Sequence, residues 1–232
     1  MKLALRYAAI LSFCFPCLVH AQATHSLTEI FPSPADSGCV INHPVTAEMA
    51  AVVKVSRPGG SFATIGLTGS MFRDSSGRLL FSLLAPAPGT DGSVKTTSVY
   101  DPVGQRRLQW SSASKVARSS PQKFSPCKSD AHRDLKDYQG PEGSTVTHLP
   151  ERTINGLSAV GILISTPVSK SNTPSFVISE MWMSKDLGVL LQSKLTGADF
   201  GDMEIDFNNV KEIEPPSAAF ELPDGYSVST TP

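Results

Sequence analysis

The chain of 232 residues carries a formal net charge of −1 at pH 7 and shows no basic run, which argues against nucleic acid as a partner. No segment offers the ~20 consecutive apolar residues that a membrane-spanning helix requires. Its 40% hydrophobic content is enough for a buried core, and alternation within that content points to a sheet.

Lys2 and Arg6 precede an apolar run through Ala8, Ile10, Leu11, Phe13, Leu18 and Val19, and Val19-His20-Ala21 supplies a cleavage site. Residues 1–21 therefore read as a secretory signal peptide, with the mature chain beginning at Gln22 and exported to the periplasm or medium as a soluble protein. The lead 22–44 has three prolines and no periodicity between Thr24 and Pro44, so it reads as irregular. Cys39 and Cys127 are the only cysteines beyond the signal segment. Export to an oxidising compartment makes a Cys39–Cys127 disulfide the expected pairing, and neither cysteine has the short spacing to a second one that marks zinc. No metal and no cofactor is expected.

Residues 45–228 read as a single β domain, with 229–232 as a tail. In the stretch from Val45 to Val55 the residues Val45, Ala47, Met49, Ala51, Val53 and Val55 share one face. From Phe62 to Phe72 the shared face holds Ile65, Leu67 and Met71, with Gly66 and Gly69 suggesting a bend or bulge. The turn Arg73-Asp74-Ser75-Ser76-Gly77-Arg78 leads to an apolar strand, Leu79 to Leu84, and then to Val94–Asp101. A fifth strand, Arg106–Val116, has Leu108 and Trp110 on a common face. The segment 117–150 is poor in apolar residues and reads as a long middle loop with one short helix near Ala131–Gln139. Ile154, Val160, Ile162 and Ile164 then share a face, with Asn155-Gly156 as a bulge or turn.

Ser175–Met183, Val189–Leu195 and Met203–Asn208 form a meander, in which Met203, Ile205 and Phe207 alternate with acidic and amide side chains. Pro215-Pro216-Ser217-Ala218-Ala219-Phe220 starts a short helical turn that lets Phe220, Leu222 and Tyr226 settle on the sheet. The sum is a mainly β fold: one strongly curved antiparallel sheet or incomplete barrel of about nine strands, with little helix.

Several of these stretches look like a group of exported bacterial proteins with no assigned activity. They are Phe72 to Arg78, Asp101-Pro102-Val103-Gly104, Glu180-Met181-Trp182 with Ser184 and Asp186-Leu187, and Phe220-Glu221-Leu222-Pro223-Asp224-Gly225-Tyr226. The closing pattern, a Trp strand, two more strands and then Phe-x-x-Pro-x-x-Tyr, is similar to the end of the periplasmic lipoprotein-carrier (LolA/LolB-like) fold. That resemblance implies a curved sheet, an incomplete barrel whose concave apolar side holds acyl chains under a helical lid, with Trp182, Phe220, Pro223 and Tyr226 as structural residues of the closing pattern. Trp110 and Trp182 lie on alternating strands, which gives them a core role over stacking on a sugar or lipid.

Chemistry is sparse. Gly156-Leu157-Ser158-Ala159-Val160-Gly161 lacks the spacing of a nucleophile elbow, and His25, His43, His132 and His148 sit in loop-like or polar stretches. Glu180 shares a strand face with Phe176, Ile178 and Trp182, where it is either a tuned carboxylate or an edge residue. No paired carboxylates or catalytic triad can be assembled, so the expected function is non-enzymatic. The expected ligand is a lipid or an acylated molecule held on the apolar face formed by Met49, Val53, Ile65, Leu67, Ile162, Ile164, Ile205 and Phe207. The alternative is a structural or protein-interaction module with a filled core.

Overall fold

A computed structural model describes residues 39–56, 61–87, 91–132, 135–168, 175–197 and 201–230. The expected signal peptide and most of the lead lie outside these residues. The first half of the chain supplies β1 (Val45–Ser56), β2 (Phe62–Arg73), β3 (Leu79–Pro86), β4 (Ser93–Asp101), β5 (Arg106–Ser111) and β6 (Ser114–Pro121). The second half supplies β7 (Thr145–Ile154), β8 (Leu157–Val168), β9 (Ser175–Ser184), β10 (Leu190–Gly197), β11 (Gly201–Lys211), a single 3-10 turn (Ser217–Phe220) and β12 (Ser227–Thr230).

All twelve strands belong to one sheet in the order β12-β6-β5-β4-β3-β2-β1-β11-β10-β9-β8-β7. Every neighbouring pair is antiparallel except β6–β12, which is parallel. The sheet is curved and not closed, and no α-helix occurs among the described residues.

The strand count corrects the expected nine. Arg106–Val116 is not one strand but the end-to-end pair β5 and β6, folded back at Ser112-Ala113. The irregular middle stretch is only 122–144, because β6 and β7 take its two ends, and the described residues near 131–139 form a turn and no helix. The three additional strands are β6, β7 and β12. Most of their residues are exposed on both faces, so they lack the apolar alternation that marks a half-buried strand.

Two glycine-bearing sites were informative. Asn155 and Gly156 both have positive φ (51° and 81°), the two-residue turn that suits the twist of a hairpin, so they join β7 to β8 and are not a bulge. Gly69 makes no bulge either, since β2 keeps unbroken register with both β1 and β3. Its lack of a side chain instead admits the Ser82 carbonyl, which lies 2.0 Å from where a Cβ would stand.

The curl has a definite inside. Phe81 on β3 and Phe207 on β11 are separated by two strands, so a flat sheet would hold their backbones about 14 Å apart. Their ring centroids are 6.4 Å apart. The face bearing both rings is therefore the concave one, and register carries it through β1 as Val45, Ala47, Met49, Ala51 and Val53.

On the opposite, convex face of β2–β6 the C-terminal segment forms a second core. Phe220 packs with Leu80, Val99, Leu108, Trp110 and Ala117, and the Arg78 guanidinium lies 4.7 Å from the Phe220 ring centre. Tyr226 completes the cover by donating its hydroxyl to the Ser111 carbonyl (3.1 Å). Each large side chain buried in this way contributes about 1.5–3 kcal/mol.

Candidate functional site

The concave face is the candidate site, because register brings all eight residues expected to line a ligand site onto it. One row of directly opposed residues runs Leu67, Ala51, Ile205, Ser193, Met181 and Ile162 across six strands. The next row holds Ile65, Val53, Met203, Leu195, Ser179 and Ile164. Met49 lies between Phe207 and Gly69 in a third. Six of the eight are buried, whereas Val53 and Ile65, near the end of the first hairpin, are half-buried.

Ser193 interrupts the apolar row. Its residue is 2% exposed and its Oγ has no hydrogen-bond partner. A buried hydroxyl left unpaired costs about 1–3 kcal/mol, so an apolar side chain would serve a sealed core better.

Along the sheet toward β6 the same face changes character. Phe81 meets Tyr100 edge-on with centroids 6.4 Å apart, and the Arg107 guanidinium carbon lies 5.2 Å from the centre of the Tyr100 ring. Phe207, Phe81, Tyr100 and Arg107 thus form an unbroken line of contacts from β11 to β5. Register places Ser120 opposite Arg107, and Arg118 opposite Gln109, all on the same face, so that Arg118 stands diagonally from Arg107. Arg107 Nε is buried and has no hydrogen-bond partner.

A second inner guanidinium, Arg73, is committed to structure. It is 5% exposed, donating from Nε to the His43 carbonyl (2.8 Å) and from Nη2 to the Leu187 carbonyl (2.7 Å). Those bonds tie the end of β2 to the β9–β10 turn across the mouth of the curl.

Carboxylates are sorted to the other face. Glu48, Glu180, Asp202, Glu204 and Asp206 all point outward by register, and no Asp or Glu of a regularly paired, described strand position points inward. At these strand positions the concave side therefore combines apolar side chains with guanidinium groups and no carboxylate.

Glu180 accepts the Trp182 indole N–H at 2.6 Å. Arg152 covers that indole at 3.8 Å, and Gly161 lies beneath it. Arg152 also donates to Gln192, which donates in turn to Asp206 (2.7 Å), so this outer cluster is a structural network with no open chemistry. Trp110 and Trp182 are both buried, while Pro223 is exposed. His43 bonds Glu212 at 2.9 Å. His148 is on a strand, contrary to its loop-like context in sequence: it faces inward opposite Ile162, and its ring nitrogen lies 2.9 Å from the Lys136 carbonyl.

Cys39 and Cys127 form the expected disulfide, with Cα atoms 4.4 Å apart across a sequence separation of 88. Backbone bonds from Ile41 to Lys128 and from Lys128 to Cys39, each 2.9 Å, zip the two segments beside it. No group of three or more metal-ligating side chains occurs among the described residues. No described helix is long and apolar enough to cross a membrane.

No protein-family model matches the sequence, and no curated protein matches it. Solved structures do resemble it in fold. One is MucB in complex with MucA(peri), at 13% identity and a TM-score of 0.43, covering 89% of this chain, which spans 62% of that one. A DUF1329 family protein from Desulfovibrio piger is 12% identical with a TM-score of 0.34, covering 89% of this chain and 97% of its own. A LolA superfamily protein from Nitrosomonas europaea is 7% identical with a TM-score of 0.30, covering 84% and 97%.

Proposed function

We propose that this is an exported envelope protein without enzymatic activity that binds a lipid or another acylated molecule on the concave face of its sheet. The observation that carries the reading is the apolar face that register assembles from six strands, with Leu67, Ala51, Ile205, Met181 and Ile162 in one row and Ser193 as its polar member. Apolar side chains gathered on the hollow side of one sheet are the kind of surface that takes a hydrocarbon chain. Magnitudes agree. Each methylene removed from water contributes about 0.8 kcal/mol, so an acyl tail of about fifteen carbons gains about 12 kcal/mol. Association entropy takes back several kcal/mol, which leaves micromolar affinity, near 8 kcal/mol.

The test is native mass spectrometry of freshly isolated protein together with titration by a fatty-acid probe. Co-purifying lipid and micromolar binding are expected. Ile205→Asp places a charge at the centre of the apolar row and should abolish binding if the fold survives, with Ile164→Asp as the second position. An interior that yields no lipid and takes no probe would leave a structural or interaction module with a filled core.

A further inference from the structure

We propose that the Arg107 guanidinium, with Arg118 diagonally across on β6, receives the anionic head of an amphiphile whose tail lies along Phe81 and Phe207. This rests on the binding role proposed above and narrows the ligand to one bearing a carboxylate or phosphate. Three independent features support it.

The first is an unmet donor. Arg107 Nε is buried without a hydrogen-bond partner, although a guanidinium carries five N–H groups arranged to grip an oxyanion. The Tyr100 ring, whose centre lies 5.2 Å from its guanidinium carbon, offers a cation–π contact.

The second is the distribution of charge. Regularly paired, described strand positions facing inward include Arg73, Arg107 and Arg118 but no carboxylate, while Glu48, Asp101, Glu180, Asp202, Glu204 and Asp206 face outward. Arg73 holds two backbone carbonyls at the mouth, so its charge is used to close the curl. An anion entering the concave side meets no like charge on those strand positions and two guanidiniums on β5 and β6.

The third is gradation. The contact line Phe207, Phe81, Tyr100, Arg107 passes from a fully buried ring to a cation over four side chains. That is the order of chemistry along an amphiphile, with an apolar tail at one end and a charged head at the other.

The experiment titrates the purified protein with palmitate and with methyl palmitate, which share a tail and differ in head charge. The wild type should bind palmitate about tenfold or more tightly than the ester. Arg107→Gln should erase that preference by weakening palmitate alone, and high salt should narrow the preference in the wild type. Equal binding of the two ligands by the wild type would overturn this inference while leaving lipid binding intact. Failure of both ligands to bind would instead remove the binding role itself. The wild-type comparison decides the matter even if Arg107→Gln does not fold.

Discussion

Arg73 donates to the carbonyl of Leu187 at 2.7 Å, although β2 and the β9–β10 turn are separated in the sheet by β1, β11 and β10. The bond is possible only because the sheet curls, and it holds the curl in place. Arg73→Met should therefore destabilise the fold by about 2–4 kcal/mol, since it leaves the Leu187 and His43 carbonyls without this donor. A urea denaturation series reads this as a lower midpoint, and an unchanged midpoint would show that the clasp contributes nothing.

The Cys39–Cys127 bond should be found by peptide mass mapping without reductant. Replacing both by serine should lower stability by at most about 4 kcal/mol in the chain-entropy account, because the sheet's ladders do not pass through it. Far-ultraviolet circular dichroism of the double variant should still show the β-sheet. Collapse of that signal would mean that the staple is a condition of folding.

Gly161 lies directly beneath Trp182, where a Cβ would come within 2.6 Å of the indole. Gly161→Ala should push the ring toward Arg152, weaken the Trp182–Glu180 bond and redshift the tryptophan emission. The cost should be about 1–3 kcal/mol, the range for overpacking. An emission spectrum identical to that of the wild type would show that the ring has room this geometry does not reveal.

The proposed export makes a prediction of its own. Protein recovered from periplasm or medium should have an intact mass starting at Gln22. A chain retaining residues 1–21, or one carrying an acyl group, would contradict export as a freely soluble protein.

The alternating strands were legible because one wet and one dry face leave a period of two in the sequence, as in Met203 to Asn208. β6, β7 and β12 were not, because strands wetted on both sides near an edge carry no such period. Arg107 was missed for a different reason. Alternation shows that Leu108 and Trp110 oppose Arg107 and Gln109, but not which pair faces the hollow. Here the C-terminal segment supplies a second apolar layer on the convex side, so the apolar pair points outward and the arginine inward. No local pattern announces that inversion, since the residues causing it lie near Phe220. Ser193 was equally silent: a serine within a strand is unexceptional until its neighbours are known.

The pairing of Met49 with Phe207 also sets the order in which the molecule can be finished. The two hairpin series on either side of β1 and β11 can form early from near neighbours, but the seam between them must wait until residue 207 exists. Phe220 covers Leu80 and Trp110 later still. During synthesis the two halves therefore remain unjoined and the nascent chain keeps apolar surface exposed until the seam closes, and folding dominated by such distant contacts is slow.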